Sequence, residues 1–219
     1  MPAGRNENSN RRYMHISYGQ FKEKAVENAT GAVARETKDG RVIWEYPFDY
    51  IEGKITGIYH KEDEKFGNSF EVIVDDGKEK FQISFKEGDN FFNDFFSKLP
   101  NTDLKRTVKL VPYAFNDKNT GKLKKGLVIW QGEAKIDNYF TSYNETKKIF
   151  EYSNGFPQPE KSMDKEEWKI YFIRVTKFLR KYTQEKIIPN LEYKFTEQVA
   201  DEIEKQYDAD LITDGDLPF

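Results

Sequence analysis

The chain contains no cysteine, and that absence removes disulfide frameworks, thiolate nucleophiles and cysteine-ligated zinc from consideration. Histidine is nearly as scarce. His15 and His60 stand alone and far apart, so neither a metal-ligating cluster nor a histidine base beside a nucleophile is visible. A Gly-rich phosphate loop ending in Lys-Ser/Thr is missing as well. No apolar run is long enough to span a bilayer, and the polar stretch from Met1 to Arg12 lacks the apolar core of a secretion signal. The expectation is a cytoplasmic protein that uses no membrane, metal or cofactor and has no catalytic residues. Asp49, Glu52 and Asp75 leave a magnesium-dependent nuclease as an alternative.

Aromatic residues are abundant. They make up 16% of the 219 residues, with 18 Phe and 13 Tyr, more tyrosines than a core of this size readily buries. Some are therefore candidates for contact surfaces. The net charge of −3 is divided unevenly: from Glu197 onward eight carboxylates face one base, Lys205, which is −7 and leaves +4 on the rest. An acidic tail on a mildly basic body suggests nucleic acid for the body and another partner for the tail.

Composition and periodicity divide the chain into a disordered arm over residues 1–12, one folded domain over 13–194 and an acidic tail over 195–219. Phe21 to Ala34 reads as a short helix interrupted at Gly31. Tyr50 to Tyr59 alternates as a strand, with Ile51, Ile55 and Tyr59 on one face and Tyr50, Lys54 and Thr56 on the other. Phe70, Val72 and Val74 alternate, Asp76-Gly77 turns the chain, and Phe81, Ile83 and Phe85 alternate again, forming a hairpin. Phe91, Phe92, Phe95, Phe96 and Leu99 then fall at helical spacing, with Asp89 or Asn90 able to cap the helix and Pro100 to stop it. Arg106 to Phe115 and Leu127 to Gln131 read as two further strands, separated by a Lys-rich loop. Trp168, Tyr171, Phe172, Val175, Phe178, Leu179 and Tyr182 mark an amphipathic helix begun by Asp164, and Phe195 to Tyr207 a second, acidic one.

The order strand, strand, strand, helix, strand, strand is that of an OB-fold, a five-stranded, partly open Greek-key barrel. The expected class is thus mainly β with added helices: an OB-fold, a C-terminal amphipathic helix and an acidic tail. A non-specific binder of single strands needs flat aromatics for the bases and Lys or Arg for the phosphates. Tyr50, Tyr113 and Trp130 are the stacking candidates, and Lys54, Lys109, Lys122, Lys124 and Lys125 the phosphate contacts.

The final residues, Asp214, Gly215, Asp216, Leu217, Pro218 and Phe219, resemble the tip of bacterial and phage single-stranded DNA-binding proteins: acids, an aliphatic residue, proline and phenylalanine. The phage members are closer in design. Gly215 interrupts the acidic run, Leu217 replaces the commoner isoleucine, and charged helical segments stand where bacterial members carry a long linker. The resemblance implies a protein that coats single-stranded DNA during phage replication, recombination and repair. Asp214 and Asp216 would meet the basic rim of a replication or recombination partner, and Leu217, Pro218 and Phe219 its pocket. Alternatives are a recombination mediator or strand-annealing protein, and an OB-type interaction module that binds no nucleic acid. Either a monomer or a dimer fits.

Overall fold

Apolar-polar alternation dictates most of the elements. The computed structural model describes residues 11–37 and 39–191. The Asp214–Phe219 tip and the helix expected over Phe195–Tyr207 lie outside the described residues, as does most of the polar arm. Its last two members, Arg11 and Arg12, open the first strand.

The strands are β1 (Arg11–Ser17), β2 (Gln20–Ala25), β3 (Val33–Glu36), β4 (Val42–Phe48), β5 (Ile51–Lys61), β6 (Ser69–Asp75), β7 (Lys80–Lys86), β8 (Val108–Asn116), β9 (Leu123–Gln131) and β10 (Ala134–Lys135). They form one large open sheet in the order β10-β9-β8-β5-β6-β7-β1-β2-β4-β3. Its pairings are antiparallel except β1 with β7, so the sheet is mixed. Helix α1 (Asn90–Lys98) connects β7 to β8, and α2 (Lys165–Tyr182) follows a separate hairpin of β11 (Thr141–Asn144) and β12 (Ile149–Tyr152). The protein is therefore mainly β with two added α-helices.

Strand β5 organises the molecule. Ile51 to Gly53 pair with β8, and Lys54 onward pairs with β6, so one strand serves two neighbours in succession. The changeover needs Gly53, because a Cβ there would lie 2.6 Å from the Asp75 carbonyl oxygen. A bulge between Ile55 and Gly57 then reverses the alternation. Ile58 is consequently buried, and Tyr59 faces away from Ile51 and Ile55, contrary to uninterrupted period-two alternation.

Two further expectations are corrected here. The segment from Phe21 is no helix: Phe21 is buried while Lys24 is exposed, and β2 turns back from β1 through Tyr18 (φ 52°) and Gly19 (φ 74°). Two consecutive positive φ values over a two-residue loop match the right-handed strand twist of a hairpin. The barrel expectation also changes. The edge of β7 is taken by β1 rather than β9, and the sheet stays open.

Helix α1 fills the gap. Asp89 caps it by accepting from the Phe91 amide at 3.0 Å. Phe91, Phe92, Phe95, Phe96 and Leu99 are all buried, with Phe95 stacked 4.6 Å from Phe85 and Phe96 4.9 Å from Phe70. Burying these five side chains contributes on the order of 10 kcal/mol before entropy is counted. The opposite side of α1 secures the neighbouring edge of β9. The Asp94 carboxylate accepts from the Leu127 amide at 2.7 Å, and Lys98 donates to the Leu127 carbonyl. Asp94 and Lys98 also pair with each other at 2.6 Å, so a strand edge that would otherwise be unpaired is covered by charged side chains.

Helix α2 begins with a capping box between Asp164 and Glu167. Tyr171, Val175 and Leu179 form its buried seam, and Phe178 and Tyr182 meet Phe140 at ring distances of 5.2 and 5.0 Å. Trp168 and Phe172 fall outside that seam. They stay on the surface, stacked 5.7 Å apart.

Candidate nucleic-acid interface

The register of β5, β8, β9 and β10 brings four side chains into one row. Glu52 lies opposite Lys109, Lys109 opposite Trp130, and Trp130 opposite Lys135. Residues directly opposite in an antiparallel pair share a face, and this face is the outward one, since Ile51, Leu110 and Ile129 point into the core. Tyr50, two positions before Glu52, joins it. The Lys109 ammonium sits 3.9 Å from the centre of the Tyr50 ring, a cation-π contact that orients both groups. Tyr50 is 50% exposed and Trp130 37%.

The same face continues along β8 and β9. Val111 lies opposite Val128, Tyr113 opposite Gly126 and Phe115 opposite Lys124. The Tyr113 ring occupies the space a side chain at 126 would need, with its hydroxyl 2.5 Å from where that Cβ would be. Partial burial, with the charge of Asp94 adding, raises the pKa of that hydroxyl, so the ring stays neutral. Phe115 is 53% exposed, 5.8 Å from Tyr113 between ring centres. From Lys109 to Phe115 the strip is ~20 Å long at the usual strand rise.

The proposed lysines do not all join this strip. Lys124 lies on it but pairs with Asp117. That bond, with the Asn119 and Thr120 amides behind it, holds the Asp117 carboxyl well below the usual carboxylate range. Lys125 points the other way, pairing with the helix-capping Asp89 at 2.9 Å and lying over Phe91. Lys122 is exposed in the loop between β8 and β9. Lys54 is exposed two positions beyond Glu52 on β5, with Asp75 directly opposite it on β6.

Several residues escaped the sequence reading. Lys135 enters through β10, a two-residue strand too short for any periodic signal. Tyr18, 76% exposed in the β1–β2 turn, and Lys22 beside it enter through a hairpin whose second strand runs into the segment expected as helix from Phe21. The Tyr18-Gly19 pair was the available signal.

A groove of about 610 Å³ adjoins Tyr50, lined by Arg12, Phe48, Asp49, Glu52 and Phe81 among others. Arg12 is spoken for by Glu23 and by Glu79 at 3.0 Å. Asp49, Glu52 and Asp75, the carboxylates of the nuclease alternative, form no metal-holding group among the described residues. Asp49 instead accepts from Gln20 at 2.9 Å, and Asp75 from the Gly77 amide at 2.8 Å. Among the described residues no helix is long and apolar enough to cross a membrane.

Comparison of the chain with protein-family models, with curated proteins and with solved structures finds no match.

Proposed function

We propose that the chain binds single-stranded DNA without sequence preference along the outer face of β5, β8 and β9, as a phage-type coating protein. In this reading β5 to β9 with α1 are an OB-type unit, its opening covered by α1 and its sheet extended by β1 to β4. The observation that carries the proposal is the strip itself. Trp130, Tyr50, Tyr113 and Phe115 offer ring surface on one sheet face, and Lys109, Lys124 and Lys135 share that face. Unstacked bases gain ~1–3 kcal/mol each on such rings, and every base has a face to offer. Phosphates pair with the ammonium groups between them. The acidic tail, with Asp214, Asp216, Leu217, Pro218 and Phe219 at its tip, recruits replication or recombination proteins to the coated strand. No catalytic step is assigned to the chain.

Titration with poly-dT at low salt, followed by tryptophan fluorescence, tests the reading. Quenching is expected. If Lys109, Lys122, Lys124 and Lys135 each meet a phosphate, log affinity should fall against log salt with a slope of about −3. Absence of quenching, or binding indifferent to salt, would overturn the proposal.

A further inference from the structure

Strand β8 is left alone where β5 turns away. Only Ile51 to Gly53 pair with it, so beyond Leu110 the β5 side of β8 has no ladder partner among the described residues. The β1–β2 turn occupies that place. A Cβ on Gly19 would come within 2.4 Å of the Ala114 amide nitrogen and 2.8 Å of the Tyr113 carbonyl carbon, so the turn is seated directly on the β8 backbone. That contact brings the outer face of β1, β2 and β4 up to the aromatic end of the strip.

The turn residue beside Gly19 is unusual. Tyr18 holds a left-handed backbone (φ 52°), a conformation that a bulky side chain rarely adopts, and its ring is 76% exposed. Burial does not account for a large ring at this position. The Lys22 ammonium lies 5.6 Å from its centre. Behind Lys22 the outer face is cationic. Glu45, almost wholly buried, accepts from Arg35 at 2.9 and 3.0 Å and from Lys22 at 3.3 Å, and His15 approaches it at 3.2 Å. Partial burial lowers the His15 imidazole below its ordinary value, so near neutral pH one carboxylate faces two fixed cations. Lys24 lies opposite Glu45 in the ladder.

We infer that the bound single strand does not end at Phe115 but crosses the β1–β2 turn, stacks a base on Tyr18 and runs its phosphates over Lys22, Lys24 and Arg35. This extension rests on the single-strand reading of the β8–β9 face. It assigns the N-terminal strands a binding role and lengthens the occluded site.

The two readings separate experimentally with oligo-dT of roughly 8 nucleotides, within the span of one small-barrel site, and of roughly 20. Tyr18→Asn removes the ring while keeping a residue that tolerates the left-handed backbone, and Tyr18→Trp restores a stacking surface. Tyr18→Asn should leave the short oligomer within about twofold, weaken the long one by roughly tenfold and shorten the poly-dT site size; Tyr18→Trp should recover both. Trp130→Ala should weaken short and long alike. If Tyr18→Asn leaves the long-to-short affinity ratio and the site size unchanged while the wild-type protein binds, the extension is wrong and the first face stands. If the wild-type chain binds neither oligomer, both readings fall.

Discussion

A tryptophan and a lysine directly opposite each other on an exposed sheet face combine a stacking plane with a phosphate contact. In the proposed interface Trp130 and Lys109 are such a pair, with Tyr50 on the far side of the ammonium. Trp130→Ala is expected to lower oligo-dT affinity about tenfold, and Lys109→Glu to lower it further and flatten the salt dependence. Equal affinities in a fluorescence-anisotropy titration would remove the pair from the interface. Glu45 makes a different residue-scale prediction. Its hydrogen bonds to Arg35 outweigh burial and bring its pKa from the ordinary 4.5 down to about 2. A depressed carboxyl stabilises the fold fully above the unfolded value, and this contribution is lost as pH falls from 4.5 through 2. The gap corresponds to on the order of 3 kcal/mol. Glu45→Gln should therefore lower the urea midpoint at pH 7 and flatten its decline over that acidic window. A parallel acid decline in the variant would show that other groups carry it. Alternation within a strand is written in the sequence, and it marks Tyr50 and Tyr113 as sharing facings with lysines and Trp130 as facing away from Leu127 and Ile129. The partners of Lys124 and Lys125 were not legible, because Asp117 and Asp89 meet them only through loop closure and helix packing.

The elements are joined at positions where a side chain has no room. Gly53, where β5 passes from β8 to β6, faces the Asp75 carbonyl oxygen at 2.6 Å and carbon at 2.8 Å from an added Cβ. The nearest atoms to a Cβ added at Gly126 belong instead to the Asp94 and Tyr113 side chains, the carboxylate oxygen and the hydroxyl both at 2.5 Å. Backbone cannot move aside as side-chain ends can, so Gly53→Ala should destabilise by about 3 kcal/mol and Gly126→Ala by about 1 kcal/mol in urea denaturation. The smaller change should nevertheless weaken oligo-dT binding, because it displaces the Tyr113 ring. Comparable stability losses would contradict this ranking. The elements most legible in the sequence were those whose signals are local: the alternation of β6 and β7, the Asp89-Asn90 start of α1 and the Asp164 start of α2. The N-terminal strands were not. The β1–β7 pairing joins Arg11 to Lys80, and a contact across such a separation leaves no periodic trace. Nor could alternation reveal that β5 carries a bulge, since an inserted residue is visible only against its partner strand.

Across the whole molecule, charge is the property most unevenly distributed. Residues 197–219 carry −7, and removing them changes the chain from −3 to +4. A polyanionic segment tethered to a cationic face is at high effective concentration and competes there with the phosphates of a single strand. Its attraction is electrostatic, so it weakens as the screening length shortens. Deleting residues 197–219 is therefore expected to raise oligo-dT affinity by roughly threefold to tenfold near 0.05 M salt, with the gain vanishing near 0.5 M. The Asp214→Asn/Asp216→Asn variant removes only two of the eight carboxylates and should give a smaller gain at low salt, which separates charge from chain length. If the deletion changes affinity equally at all salt concentrations, the tail acts by something other than competition for the cationic face. If affinity at low salt is unchanged, the tail and the strand occupy separate surfaces.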